Sequence, residues 1–444
     1  MRAAICLVFS LGWGVSVAVA ADLPPEIAQA FTELSERVHR LEARNTELEN
    51  ALNSDRLSQS EPELATRIKA LESDAGRLQP AARLAETLDG ISVGGGFSMV
   101  AQHAGRAAMG ESKNALSWRG DVEILLPGGE MGDLRGQFFA HLRVGQGTGV
   151  ITPGASPANA TAFDLGGSAA NAHAILAQAW YQLDIPTGQD AHAEITVGKI
   201  DPYGFFDGND AADDETARFM NLNFVHNPLL DAGGGGVFDD YGFTPGMRLA
   251  WNDESGAWGL SWGVFATGEG AGFSHGFQKP FQIMQLETEQ RLWRGLLGHT
   301  RFYVWDTQRG TRHDDTEERQ SGFGVSIDQR LGDGITLWGR YGHTLHGTPR
   351  FDRALTAGVA LSGSYWNRAA DSLGLAFGHK TATHAYQASQ GKPTDGEQTL
   401  ELYYNWQAMP SLVITPDLQL IRSPGASRAN ADERLIGVRA TLSF

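Results

Sequence analysis

The sequence of 444 residues predicts an all-β fold, namely a transmembrane antiparallel β-barrel preceded by an N-terminal α-helical coiled coil. Three observations predict it. The chain begins with an export signal, it alternates apolar and polar residues in about sixteen later segments, and its last amphipathic strand ends on Phe444. Alternation with a period of two is typical of strands with one apolar face. Together these features indicate an exported protein that crosses a membrane with strands.

The first twenty residues have the pattern of a secretory signal peptide. Arg2 supplies the positive charge, residues 3–20 are apolar apart from two serines, and AVA before Ala21 is a small-residue cleavage site. A membrane anchor is the alternative, but the segment is short and interrupted by glycine. The only cysteine, Cys6, lies inside this signal, so the mature chain is expected to have no disulfide, thiol nucleophile or cysteine-based metal site.

Residues 22–88 are predicted to form a coiled coil. Core residues recur at alternating spacings of four and three, at Ile27, Phe31, Leu34, Val38, Leu41, Asn45, Leu48 and Leu52. A polar Asn45 in such a seam fixes register and the number of helices. The alternative is a single amphipathic helix folded onto the barrel. We expect self-association, giving a homo-oligomer such as a trimer, with the coiled coil in the periplasm.

Residues 91–444 are predicted to form the barrel, because the apolar period changes to two. The predicted strands start near residues 91, 115, 132, 174, 191, 246, 258, 281, 296, 319, 334, 354, 371, 396, 412 and 433. Tight connections alternate with long ones at 146–173, 202–245 and 309–318, which is typical of outer-membrane barrels. Aromatic residues near strand ends, such as Trp338 and Tyr403, predict girdles at the membrane interfaces.

A soluble β-sandwich would show the same alternation with its apolar face turned inward. The export signal, the uninterrupted series of strands and the ending favour the barrel. In outer-membrane barrels the last strand carries a terminal aromatic residue that the barrel assembly machinery reads. Phe444 is therefore expected to be an assembly signal, and outer-membrane lipid is the expected surrounding.

The polar face of the predicted strands carries charges of both signs and is expected to line the lumen. Candidate residues on this face are Arg119, Glu123, Arg135, Arg143, Arg340 and Glu401. An ion-selective pore needs rings of one sign, whereas mixed charges with hydroxyls and aromatic rings suit sugars or similar small polar solutes. The alternative is that many of these charges pair across strands and stiffen the wall. The net charge of −17 argues against nucleic acid as a partner.

The segment 199–224 is dense in acids and aromatic residues, so we expect it to fold into the barrel and narrow the pore. Its candidate residues are Tyr203, Phe205, Asp213, Asp214, Glu215 and Arg218. Calcium could bind the acids, but Ala212 and Arg218 stand where an EF-hand has glycine and a bidentate glutamate. No cofactor is expected, with Ca²⁺ in loop 199–224 left open.

Sequence motifs give little support to an enzyme. No H-E-x-x-H occurs, the G-x-S-x-G matches GISVG (90–94) and GLSWG (259–263) begin at predicted strands and a third is GFSHG (272–276), and HDDTEE (313–318) has the composition of solvated surface. We therefore expect no enzymatic activity, although a scattered Ser/His site of a barrel hydrolase stays open.

Two stretches resemble the carbohydrate-selective porins of Gram-negative bacteria, the OprB-like family. They are LSGSYWNRAADSLGLAFG (361–378) and EQTLELYYNWQAMPSLVITPDLQLIRSPG (397–425), followed by RLIGVRATLSF, and GKIDPYGFFDGNDAADDETARFMNLNFVHNP (198–228) resembles the family's loop. The resemblance implies a sixteen-stranded barrel that passes sugars by diffusion, with inward-folded loops and charged side chains at the constriction. A Gly-Trp-Gly-Gly-like start is missing, and the heptads are not part of the best-known members.

The shared TPDLQ pattern places Pro416 inside a strand, where we expect a tolerated bulge.

The function predicted is that of an outer-membrane porin for passive diffusion of carbohydrates. The alternatives are a general or ion/phosphate-selective porin, an envelope tether that uses the coiled coil, and a barrel enzyme.

Overall fold

A computed structural model describes residues 91–106, 111–152, 154–163, 171–188, 191–232, 238–239, 241–253, 257–267, 277–332 and 334–444. The predicted signal peptide and the predicted coiled coil at 22–88 lie outside these residues. Within the described ranges, no helix is long and apolar enough to cross a membrane.

Sixteen antiparallel strands close into a barrel in the described residues, each pairing with its neighbours in the sequence and β1 pairing with β16. The strands are β1 (Ser92–Ala104), β2 (Asn114–Met131), β3 (Leu134–Gln146), β4 (His173–Pro186), β5 (Ala191–Ile200), β6 (Thr244–Asp253), β7 (Trp258–Phe265), β8 (Phe281–Trp293), β9 (Leu296–Thr311), β10 (Glu317–Gly332), β11 (Ile335–His346), β12 (Phe351–Ser362), β13 (Ser372–Ala382), β14 (Gly396–Met409), β15 (Leu412–Arg422) and β16 (Glu433–Ser443).

The helical segments of the described residues are short and lie in the connections. They are α1 (Leu222–Val225), α2 (His384–Ser389) and the 3₁₀ turns Pro202–Gly204, Pro228–Asp231, Gly363–Trp366 and Pro424–Ala426. Three of these segments, namely α1 and the first two 3₁₀ turns, lie in the connection between β5 and β6.

The apolar faces of the strands point away from the barrel axis. Leu116 and Ile436 are 63% and 57% exposed, whereas their neighbours Ser117 and Leu435 are buried. Further along β16, Arg439 is 0% exposed in the interior. This arrangement is the reverse of a soluble β-sandwich, and it confirms the predicted barrel.

The connections at one end of the barrel are tight except for that between Ser362 and Ser372, and most of those at the other end are longer. Every predicted strand start lies within three residues of the observed start, the largest difference being 354 against Phe351. The predicted loop 309–318 is wrong, because β9 continues to Thr311 and β10 begins at Glu317. Cross-strand pairing extends this hairpin beyond the point where the sequence loses its alternation.

The predicted bulge at Pro416 is also wrong. Tyr403 pairs with Asp417 and Trp406 pairs with Ile414, so the register is unchanged and no residue is inserted. Between these two pairs the β14–β15 ladder lacks pairs, where proline has no N–H to donate, and the register shift of this ladder lies elsewhere, between Gln407 and Met409. On its other side Pro416 still pairs with Val438.

The barrel seam is closed at the last residue of the chain. The Phe444 N–H donates to the Gly95 carbonyl and the Gly95 N–H donates to the Phe444 carbonyl, each at 3.0 Å. The Phe444 ring covers Gly95 so closely that a Cβ at that glycine would lie 2.5 Å from Cε2 of the ring. Glycine at position 95 is thus needed for the terminal ring to lie against β1.

We predict that Gly95→Val destabilises the barrel by about 1–3 kcal/mol, because the added side chain displaces the Phe444 ring from the seam. Urea unfolding in detergent, followed by gel mobility of the folded form, measures this. Gly94→Val is the matched control, since nothing lies within 4 Å of a Cβ there. Equal losses for the two variants would contradict the packing role of Gly95.

Candidate functional site

The connection between β5 and β6 folds back into the barrel. We call residues 201–232 the inserted loop. Each of its three helical segments begins with a side chain that accepts a hydrogen bond from the backbone N–H two residues ahead: Asp201 from Tyr203 (2.9 Å), Asn221 from Asn223 (3.1 Å) and Asn227 from Leu229 (3.1 Å). Such caps favour short turns over a continued strand, so the loop has a defined local structure.

A buried ion pair fixes the middle of the inserted loop to the wall. Arg340 of β11 lies 3.0 Å from Asp207, measured from Nε to Oδ2, and both residues are at most 2% exposed. The Tyr303 hydroxyl donates to Asp207 Oδ1 at 2.8 Å. Arg340 also donates to the Phe224 carbonyl at 2.7 Å and to the Asp207 carbonyl at 3.1 Å. One arginine therefore connects two separate parts of the loop.

A buried carboxylate holds the next part of the loop. Glu401 of β14 accepts hydrogen bonds from the backbone N–H groups of Met220 (2.5 Å) and Asn221 (3.0 Å). The Asn221 side chain donates in turn to Gln419 Oε1 at 2.9 Å. Glu401 is 0% exposed, so its carboxylate serves loop amides rather than channel water.

The loop residues just before Met220 are held by side chains of β16. Arg439 donates to the carbonyls of Glu215 (2.7 Å) and Arg218 (2.9 Å), and Thr441 donates to the Thr216 carbonyl at 3.0 Å. Together with the contacts to β11 and β14, these bonds attach the loop along one half of the inner wall.

Aromatic rings fill the space between this half of the wall and the loop. Phe219 packs on Trp338 and Tyr403, with ring centroids 5.5 and 4.8 Å apart, and on Phe224 at 5.5 Å. Trp338 and Tyr403 are at most 4% exposed. The prediction that these two residues belong to interfacial girdles is wrong, because both rings point inward onto the loop.

Beyond β1, the neighbouring strands β2 and β3 present a cluster of charged groups. Asp121 is the residue that the other members of this cluster share. Arg119 Nε, Arg143 Nε and His141 Nε2 each lie 2.7 Å from one of its carboxylate oxygens. The inserted loop adds Glu215, whose Oε1 lies 2.9 Å from Arg119 Nη1. Residues of β2, β3 and the loop thus form one network.

Farther round the wall, aromatic rings alternate with charges. Arg248 lies over the Phe205 ring at 4.8 Å and pairs with Glu194 at 2.5 Å. Trp180 meets Phe205 edge-on, with 5.8 Å between the ring centroids. An aromatic ring thus lies beside a guanidinium–carboxylate pair, which combines a stacking surface with fixed donors and acceptors.

A second instance of the same pattern lies next to it. Arg143 lies over the Phe243 ring at 5.1 Å, and Lys199 lies 5.9 Å from the centroid of that ring. Lys199 pairs with Asp239 at 2.8 Å. The two instances place rings and ion pairs side by side along β3, β5 and β6.

The structure separates the predicted site residues into three groups. Exposed ones are Glu123, Arg135, Asp213 and Asp214; half-buried ones are Arg143, Tyr203, Phe205, Glu215 and Arg218; buried ones are Arg119, Arg340 and Glu401. Arg119, Arg143 and Glu215 come together at Asp121. Arg340 and Glu401 instead contact the loop backbone, away from channel water, since each is enclosed between wall and loop.

Phe243, Arg248 and Glu194 are site residues that the sequence reasoning missed. Arg248 could have been found, because it alternates with the apolar residues Met247, Leu249 and Trp251 in the predicted strand. Phe243 lies in a connection without alternation, so no local pattern indicates its position beside Arg143.

Several loop carboxylates that could bind Ca²⁺ instead contact protein groups. Asp207 pairs with Arg340, Asp214 accepts from Thr216 (2.8 Å), and Asp210 lies 3.6 Å from His299. In the described residues Asp210, His299 and Asp328 bring ligand atoms within 4.8 Å of one another. The calcium hypothesis for loop 199–224 stays a prediction.

The Asp210, His299 and Asp328 group has the contacts of an ion-pair network. Asp328 accepts from His299 Nδ1 and from Arg301 Nη1, both at 2.9 Å, so its oxygens are already engaged by cationic or hydrogen-bonding groups. A metal ion would have to displace Arg301 from this carboxylate.

The buried His226 pairs with the half-buried Asp231 inside the loop. His226 Nε2 lies 2.9 Å from Asp231 Oδ1, and the Tyr203 ring stacks on the imidazole with 4.0 Å between centroids. Burial alone would lower the pKa of His226, but the Asp231 carboxylate raises it above its ordinary value. Burial and the same carboxylate also raise the pKa of Tyr203 well above its ordinary value.

The barrel, its outward apolar faces and the loop folded inside it are the features of a porin. Comparisons with known proteins agree. The family described as carbohydrate-selective porin, OprB family, matches residues 137–444, so this chain belongs to that family. A barrel of this family is a protein of the outer membrane.

One solved structure shows the same fold. The high-pH structure of Pseudomonas putida OprB has 16% identity and a TM-score of 0.68, and the match covers 83% of this chain and 97% of that one. Its low-pH structure has 13% identity, the same coverage and a TM-score of 0.49. A mutant of the Rh. blastica porin has 11% identity and a TM-score of 0.44, over 80% of this chain and all of that one. No curated protein sequence matches.

We predict that Arg340→Gln lowers the free energy of unfolding by about 3–5 kcal/mol, since it leaves the buried Asp207 carboxylate without its cation. Urea unfolding followed by tryptophan fluorescence measures this. Arg330→Gln is the control, because Arg330 is more than half exposed and lies 3.8 Å from Asp210. A change of about 1 kcal/mol or less is expected there. Similar losses of unfolding free energy in both variants would contradict the role of the Arg340–Asp207 pair in holding the loop.

We predict that the loop is held more firmly at low pH than at high pH. The pKa of His226 is higher in the folded than in the unfolded chain, so its contribution is complete below the unfolded pKa and is lost as pH rises through the folded pKa. Hydrogen exchange of loop amides at pH about 5 and about 9 measures this. Asp231→Asn should remove the pH dependence, and a variant that kept it would refute the assignment.

Proposed function

We propose that this porin admits carbohydrates by passive diffusion, without chemical change, through the space between the inserted loop and strands β2–β7. The loop is held by residues of β9, β11, β14 and β16, and toward β2–β6 it contributes Phe205 and Glu215, so loop and wall side chains border the proposed path together. Support comes from the family and from the lining described above. The tight-turn end with both barrel termini is proposed to face the periplasm.

One observation carries the proposal, namely the Phe205 ring beside the Arg248–Glu194 pair. A sugar has an apolar ring face and several hydroxyls that both donate and accept. A ring with an adjacent guanidinium and carboxylate meets both requirements in one place. Few fixed polar groups among aromatic ones are typical of sites that bind small molecules selectively.

Selection by charge is the less favoured alternative. The cations on this half of the wall have carboxylate partners: Arg119 and Arg143 have Asp121, Arg248 has Glu194, and Lys199 has Asp239. Because the opposite charges offset one another, they supply no ring of one sign that would favour anions or cations. This favours neutral polar solutes over phosphate or simple ions.

The remaining predicted site residues enter this proposal by position. Glu123, Arg135, Asp213, Asp214 and Arg218 have exposed or half-exposed side chains on inward-facing strand positions or on the inserted loop. We assign them to the approaches on either side of the narrowest part. Arg340 and Glu401 are assigned to holding the loop.

We predict that sugars block the channel saturably in a planar bilayer, and that Phe205→Leu weakens this block about five- to ten-fold. Leucine keeps an apolar side chain but removes the face on which a sugar ring stacks. Phe302→Leu is the matched control, since Phe302 is 45% exposed on the outer face of β9. Equal sugar affinity in all three proteins would contradict the role of Phe205.

We further propose that the predicted coiled coil at 22–88 joins barrels into a homo-oligomer. Deleting residues 22–88 should then yield single barrels in detergent, as measured by light scattering, while sugar block is unchanged. An unchanged oligomer would contradict this. If the isolated segment instead bound peptidoglycan, the envelope tether would be favoured.

A further inference from the structure

The outer surface of the barrel carries a basic patch at the long-loop end of β15, β16 and β1. Arg422 and Arg434 are exposed there and continue the outward rows of their strands. Below them in the same rows, Leu418 and Ile436 are 40% and 57% exposed. Charge and apolar surface thus meet at one edge of the outward face.

Arg422 and Arg434 differ from comparable arginines on the outward face. Arg319 pairs with Asp306 at 2.8 Å, and Arg353 lies 3.5 Å from Asp352. In the part of the chain that the structure describes, neither Arg422 nor Arg434 has a carboxylate within ion-pair distance.

Two carboxylates lie close by in sequence and have other contacts. Glu433 is 3% exposed, points inward and accepts the Arg106 backbone N–H at 2.9 Å. Asp432 accepts the Ser423 backbone N–H at 3.1 Å. Neither neutralises the two guanidinium groups.

Loops at the same end add more exposed cations, at Arg106, Lys113, Lys392 and Arg428. The exposed carboxylates of the same loops are Glu111, Asp395 and Asp432. This corner is therefore basic on a chain whose net charge is −17. A chain so acidic overall does not produce a basic corner through its average composition, so the corner is a local feature.

The spacing of the two arginines suits one anionic group. Leu420 of β15 is the cross-strand partner of Arg434 of β16. Arg422, two residues after Leu420, is therefore the diagonal neighbour of Arg434, with about 7–8 Å between the two arginine Cα atoms. Side chains as long as arginine can reach a common phosphate from such positions, and guanidinium groups bind phosphate through paired hydrogen bonds.

We propose that Arg422 and Arg434 bind the phosphate of a lipid in the leaflet around the long-loop end of the barrel. The apolar surface of Leu418 and Ile436 below them receives the acyl chains, which a free phosphate ion lacks. The proposal rests on the barrel spanning a membrane and is independent of the solute that it conducts.

The full-length porin in a neutral detergent is titrated with lipid A carrying two phosphates, and bound lipid is counted by native mass spectrometry. Arg422→Gln/Arg434→Gln should bind about ten-fold or more weakly, because two charged hydrogen-bond donors are lost. Arg319→Gln, an exposed arginine with its own acidic partner, should bind like the parent. Dephosphorylated lipid A and inorganic phosphate alone should bind weakly to all three.

Equal binding of phosphorylated lipid A by the double variant and the parent would overturn the proposal. Competition by inorganic phosphate at the lipid's own concentration would overturn it in favour of a free-anion site. Sugar block measured on the same double variant is expected to be unchanged, so a failure of the lipid site is distinguishable from a failure of the proposed transport.

Discussion

The buried Asp207–Arg340 pair is the contact on which the shape of the channel depends. A barrel of sixteen strands encloses an aqueous lumen that its own side chains do not fill. The inserted loop occupies part of that lumen, and its middle is fixed against β11 by this pair. Arg340 fixes the loop at two points, the Asp207 carboxylate and the Phe224 carbonyl. Such a pair costs desolvation, so its value here lies in position more than in stability.

The inward-facing charged residues divide into two sets that contact different groups. On one half of the wall Arg340, Glu401 and Arg439 are buried and contact loop backbone. On the other half Arg143 and Arg248 are paired with carboxylates and lie beside aromatic rings. The first set gives the loop its position, and the second is the set to which we assign contact with the solute. The same residue types occur in both sets, and what separates them is the partner: loop backbone in the first set, and carboxylates beside aromatic rings in the second.

Much of the fold could be predicted because a membrane barrel repeats one local rule. Period-two alternation located the strands, whereas the pairing of Phe444 with Gly95 at the seam was not predicted. The lumen was harder, since Arg143 and Arg340 both look like inward arginines in their strands. Only the course of the loop makes Arg340 contact loop backbone while Arg143 pairs with Asp121 of the wall. Trp338 and Tyr403 were misassigned for the same reason, because a ring near a strand end can face lipid or loop.

The central claim is that solutes pass between the inserted loop and the β2–β7 wall. The most direct measurement is a structure of the porin in lipid with a bound disaccharide. The account predicts sugar density against Phe205 and the Arg248–Glu194 pair, with the loop still clamped by Arg340. Sugar density between the loop and β11, or a loop released from Arg340 when sugar is bound, would contradict it.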